Sequence, residues 1–144
     1  MSARHVAYAA LLAAPLAFAA GAAHAKTMTF TAKLTSSAEV PPNSSTGTGM
    51  AKVTLDTKSR TITYEVSYSG LTGPATAAHI HGPAAPGKNA GVVVPLQVGP
   101  SPITGTATLT KAQVSELEHG KDYVNIHTDA NKGGELRGQL HKGM

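Results

Sequence analysis

Apolar residues stand at every second position through stretch after stretch of this chain, and that period limits the backbone conformations open to it. Met28, Phe30, Ala32 and Leu34 share one parity, with Thr and Lys on the other; Ala51, Val53 and Leu55 repeat the pattern, then Ile62, Tyr64, Val66 and Tyr68, and later Ile103, Ala107 and Leu109. Successive side chains of a strand point to opposite faces, so this alternation predicts strands with one face in a core. Turn-forming segments separate them. Ser36 to Gly49 reads as a loop, Asp56 to Arg60 as the tight turn of a hairpin, Gly70 to Pro74 as a further break, and Gly82 to Gly91 as an irregular loop holding Pro83, Pro86 and Gly87. Val92 to Leu96 is a continuous apolar run, which predicts a strand buried on both faces or near a sheet centre.

One helix is expected, over Lys111 to His119. Thr110 with Gln113 three positions on forms a capping box, Val114 and Leu117 face inward, and Gly120 ends the turn. The final two strands, Tyr123 to Thr128 and Glu135 to His141, flank the glycine-ended loop Asp129 to Gly134. On the last strand Leu136, Gly138 and Leu140 have core parity, and Glu135, Arg137, Gln139 and His141 are expected to look outward. About eight short strands with one short helix predict an all-β fold, an antiparallel two-sheet Greek-key-like β-sandwich.

The first 25 residues read as a secretory signal peptide: Arg4, an apolar run from Val6 to Ala20, then Ala23-His24-Ala25 as a small-x-small cleavage site. The run is too short and alanine-rich, with Pro15 inside it, to make a good membrane anchor. Residues 26–144 then form one domain in the periplasm or outside the cell, with no membrane span. The net charge of +4 is carried by scattered rather than clustered Lys and Arg, which argues against a nucleic-acid partner. With no cysteine, the exported domain has neither disulfides nor a thiolate zinc site and depends on its core or a bound ion.

Candidate chemistry concentrates in two stretches, Ala78-His79-Ile80-His81-Gly82-Pro83 and Tyr123-Val124-Asn125-Ile126-His127-Thr128. On a strand, His79 and His81 share a face about 7 Å apart, near enough for both rings to reach one metal ion. His127 has the parity to join them, and His141 is a candidate fourth ligand. Asn125 and Glu135 share the outward parity and could accept a spare ring N–H, fixing a tautomer. Arg137 could hold Glu135 or steer an anion towards the metal. The plainer alternatives are histidines tolerated on an outer face and a surface Glu135–Arg137 ion pair worth at most about 1 kcal/mol. His119, at the helix end, reads as a solvated cation favoured by the helix dipole, and His5 and His24 leave with the signal. Three imidazoles with an open position favour copper, with zinc as the runner-up.

The segments Gly70-Leu-Thr-Gly73, Ala78-His-Ile-His-Gly-Pro-Ala84, Tyr123-Val-Asn-Ile-His-Thr128 and Gly133-Gly-Glu-Leu-Arg-Gly-Gln139 resemble the signature blocks of the CHRD domain, the module named after chordin. That resemblance runs from about Thr29 to Leu140 and implies a small all-β domain. A second resemblance, to exported copper-zinc superoxide dismutases, rests on His79 and His81 as an H-x-H strand pair. It implies His127 as a later ligand and Arg137 as an anion-guiding arginine. The zinc subsite, the bridging histidine and the stabilising disulfide of those enzymes have no counterpart here. The expected function is an exported copper-binding protein, either with superoxide dismutase-like turnover or storing copper and passing it to an exchange partner. The alternative is an extracellular protein-interaction module without metal. No Gly-x-Ser-x-Gly elbow or cysteine nucleophile supports a hydrolase.

Overall fold

A computed structural model describes residues 25–143, so the expected signal lies outside the described residues in all but its last position. The strands are β1 (Thr27–Thr35), β2 (Thr48–Asp56), β3 (Thr61–Ser69), β4 (Ala75–His81), β5 (Val92–Pro95), β6 (Ile103–Thr108), β7 (Tyr123–Thr128), β8 (Leu136–Gln139) and β9 (His141–Lys142). A 3₁₀ turn covers Ser36–Ala38 and the helix α1 covers Lys111–Glu118. The alternation is realised directly: Met28, Phe30, Ala32, Leu34, Ala51, Val53, Leu55, Ile62, Tyr64 and Val66 are all buried. The Thr110 capping box forms as expected, with Thr110 Oγ1 accepting from Gln113 N and Gln113 Oε1 accepting from Thr110 N. His119 caps the C-terminal end of α1, exposed to solvent. No helix among the described residues is long and apolar enough to cross a membrane.

All pairings are antiparallel, in the order β5-β4-β7-β8-β1-β2-β3-β6, with β9 also on β1. This is one sheet, nearly closed into a barrel, and the pairing does not divide into the two expected sheets. The halves join weakly at β1, where Thr35 pairs with Arg137 on β8 while Phe30 and Thr31 pair with Lys142 and His141 on β9. Opposite that seam, Gln97 N donates to Tyr64 Oη and Tyr68 N to Ser101 Oγ, tying the chain after β5 to β3.

Gly138 makes the seam possible. A Cβ there would stand 2.3 Å from the Lys33 carbonyl oxygen, a backbone atom that cannot swing aside. Gly138→Ala is expected to destabilise the domain by about 2–3 kcal/mol through this overlap, read as a lower urea midpoint. An unchanged midpoint would show that β1 and β8 can separate freely.

Two expectations are corrected here. Val92 to Leu96 is not a doubly buried strand: β5 ends the sheet, Val92 is 52% exposed, Val93 is half-buried, and only Val94 and Leu96 are fully in the core. Pro95 suits such an edge, since it has no N–H to give a neighbouring strand. The face carrying Tyr123, Asn125, Glu135 and Arg137 does not look out to water either, and all four side chains are buried. Period-two parity reports which side of the sheet a residue takes, and loops can cover that side. Ala84 N donates to the Lys121 carbonyl and Asn89 Nδ2 to the Val40 carbonyl, while Asn43 Nδ2 donates to the carbonyls of Gly134 and Glu135.

Candidate metal centre

Strand register brings the histidines together. β7 lies between β4 and β8, so His79, Asn125 and Arg137 form one cross-strand row and His81, Tyr123 and Gln139 the next. His127 pairs with Ala77, whose methyl leaves room for the His127 ring to lean towards His79. The His79 ring centroid is 5.2 Å from that of His81 and 5.0 Å from that of His127, edge-on in both cases. One ring nitrogen from each of the three, all half-buried, falls within 4.8 Å of the others.

The hydrogen bonds assign the nitrogens. His127 Nδ1 lies 2.8 Å from the Lys132 carbonyl, which can only accept, so the proton sits on Nδ1 and the Nε2 lone pair is free. That Nε2 faces His79 Nδ1 at 3.1 Å. In the metal-free protein the His79 Nδ1–H therefore donates to His127, and a metal ion would take the place of that proton. Around His81, the Ala90 carbonyl lies 3.0 Å from Nδ1 and Asn125 Oδ1 lies 3.1 Å from Nε2. A neutral ring has one N–H for these two acceptors. When Ala90 takes it, Nε2 becomes the third free lone pair. Burial, and then the neighbouring His127 and His81, hold the His79 pKa below the usual histidine value, which favours the neutral ring a metal requires.

The other expected residues fall elsewhere. His141 pairs with Thr31 on β1, is exposed, and has its ring Nδ1 beside Gly120 at the end of α1, apart from the three-histidine group. The Glu135 carboxylate accepts from Ser45 Oγ, Thr72 N, Thr72 Oγ1, Thr128 Oγ1 and Asn131 Nδ2, an arrangement that ties loops together. Arg137 is 2% exposed and spends its donors on Asn89 Oδ1 and the Lys88 carbonyl, so the expected surface ion pair with Glu135 is replaced by two separate buried networks. Asn125 Oδ1 lies 3.1 Å from His81 Nε2, on the side of the sheet its parity implied.

Sequence reasoning missed Tyr123, whose ring stacks on His81 at 4.9 Å with the planes 6° apart. Its signal was present, since Tyr123, Asn125 and His127 share one parity. The Ala90 and Lys132 carbonyls have no sequence signal, because every residue carries one. Glu39 was missed too. It is buried beside Arg137, in the wall of a cleft of about 460 Å³ between the 3₁₀ turn and Pro86-Gly87, and its Oε1 has no hydrogen-bond partner among the described residues.

Burial pushes the Glu39 carboxyl up to about 7 against the attraction of Arg137. Burial and the nearby Glu116 raise Asp122 to about 7 as well. Between the unfolded values, near 4, and 7, the native state keeps protons that the unfolded state has released, so stability falls as pH rises through that window. Of this loss Glu39 accounts for at most about 3 kcal/mol and Asp122 for at most about 4 kcal/mol, and solvent screening lowers both. Glu39→Gln and Asp122→Asn are each expected to flatten the fall in urea midpoint between pH 5 and 8, and parallel profiles for variant and wild type would refute the assignment.

Comparison with known families settles the classification. A family model, the CHRD domain, matches residues 30–140. The chain belongs to the CHRD domain family. No curated protein and no solved structure matches it. The match runs from within β1 to the end of β8, so this CHRD domain carries its three clustered histidines within the family's own boundaries. Nothing in these comparisons supports the superoxide dismutase likeness.

Proposed function

We propose that this CHRD domain is an exported copper-binding protein whose ion is held by His79, His81 and His127. The observation that carries this reading is the approach of His79 Nδ1 to His127 Nε2 at 3.1 Å, with a backbone carbonyl holding the opposite nitrogen of His127. Ordinary surface histidines have no reason to be oriented in this way, whereas metal-ligating histidines nearly always give their second nitrogen to a carbonyl or carboxylate. The donor set fits copper: neutral imidazoles on rigid strands, no thiolate, no carboxylate within the group, and a position left open. Copper bound there would supply one-electron chemistry.

Of the two copper roles, holding and passing on the ion is better supported than superoxide turnover. Anion guidance needs an accessible cation near the metal, and Arg137 is enclosed by Asn89, Lys88 and Tyr123. The test is to load the metal-free domain with Cu(II), Cu(I) or Zn(II) and measure stoichiometry. One copper per chain, held against competing zinc, with nitrogen hyperfine structure that is lost in His81→Ala, is the expected result. Failure to take up copper, or unchanged uptake in the variant, would leave the metal-free interaction module as the reading.

A further inference from the structure

His81 is gripped from two directions, and both grips lead back to one buried side chain. Its Nδ1 meets the Ala90 carbonyl at 3.0 Å, and its ring lies flat against Tyr123. The Tyr123 hydroxyl accepts from Ala90 N–H at 3.1 Å, so the stacking residue also holds the peptide that holds the histidine. Arg137 braces both parts. Its Nη2 donates to the Lys88 carbonyl at 2.6 Å, its Nη1 to Asn89 Oδ1 at 3.0 Å, and its Cζ sits 3.5 Å from the Tyr123 ring centroid. Asn89 is fixed a second time through Nδ2 to the Val40 carbonyl at 3.1 Å. Residues 88–90 thus form a short backbone bracket clamped to the sheet by a guanidinium.

We propose that Arg137 is a positioning residue for the metal centre, acting through this bracket to choose the tautomer of His81. The choice is a real one, because Asn125 Oδ1 lies 3.1 Å from Nε2 and competes with the Ala90 carbonyl for the single proton of the neutral ring. A proton on Nε2 blocks the nitrogen that would face the metal. A proton on Nδ1 frees it. By keeping the Ala90 carbonyl against Nδ1, the clamp decides the competition for the metal-ready form. Arginine suits the task because its planar fork can donate to two separate acceptors while its face lies on an aromatic ring, whereas lysine offers a compact ammonium with no planar face and no fixed fork. The inference rests on the metal-binding reading of the three histidines and assigns Arg137 a role that an exposed guiding cation could not fill.

The tautomer can be read without metal, by long-range proton–nitrogen NMR on the metal-free protein. Wild type is expected to show His81 mainly as the Nδ1–H form, and Arg137→Lys and Arg137→Met to shift it towards the Nε2–H form. With copper loaded, the same variants are expected to lose one nitrogen from the Cu(II) hyperfine pattern and about 10- to 100-fold in affinity, the usual penalty for removing an outer support of a ligand. If both variants fail to fold, Asn89→Ala removes one partner of the clamp and is expected to move the tautomer in the same direction by less. A folded variant with the wild-type tautomer and hyperfine pattern would overturn the proposal, and so would a wild type already in the Nε2–H form. If wild type takes up no copper, the functional reading fails by itself, and the tautomer comparison still judges Arg137.

Discussion

Replacing His127 by alanine is expected to abolish stoichiometric copper binding, with affinity falling by more than the roughly 100-fold that marks the upper range for loss of an outer support. His127 provides the nitrogen that meets His79 and is itself aligned by the Lys132 carbonyl, so the variant loses a ligand and leaves His79 without its acceptor. The fold should tolerate the change. His127 is half-buried on the outer side of β7, and its removal is expected to cost about 1 kcal/mol or less. Competition titration and thermal unfolding on one preparation separate the two effects. Wild-type copper affinity in a folded His127→Ala protein would end the case for the site.

The largest effect on stability is expected at Glu135. This carboxylate is fully buried and receives hydrogen bonds from the loop after β1, the loop before β4, the end of β7 and the turn that follows it. Glu135→Ala strands those donors without a partner, and a loss of about 3–5 kcal/mol is expected, a large share of the 5–15 kcal/mol typical of a whole domain. Burial alone would raise the Glu135 pKa, yet the hydrogen bonds from Ser45, Thr128 and Thr72 outweigh it and hold the carboxyl at about 2.

With the native pKa lowered, the stabilisation from Glu135 is complete above about 4.5, the unfolded value, and disappears as pH falls towards 2. Glu39 and Asp122 act in the opposite sense from about pH 4 upward, so the wild-type urea midpoint is expected to peak near pH 4. Glu135→Gln should remove most of the acid limb and leave the limb above pH 5 in place. An acid limb as steep as that of wild type would assign it to other carboxylates.

Most strand positions were legible because burial on one face imposes a period that no other backbone shape produces. Phe30, Leu34, Val53 and Val66 could be placed inward from parity alone, and Thr110 with Gln113 announced the helix start. Strand neighbours were not legible. The pairing of β8 with β1, and the edge position of β5, depend on contacts between segments far apart in sequence, and Val92 to Leu96 reads alike whether one face or two is covered.

The same division runs through the site. Which histidines share a face is a property of local period, and His79, His81 and His127 were found that way. Their mutual approach needs β4 and β7 to be neighbours in one register. His141 shows the limit, since a suitable residue on β9, which pairs with β1 and lies off the run of strands carrying the histidines, does not reach the group.

The amino-acid order by itself determined the strands, the helix cap, the inward residues and the pair of segments that bring imidazoles to one side. Only the tertiary structure decided that Arg137 and Glu135 are interior groups and which carbonyls and amides stand beside the three histidine rings. The physical reason is that parity is settled by nearest neighbours along the chain, whereas burial of an outward residue and the direction of a carbonyl are settled by loops arriving from elsewhere.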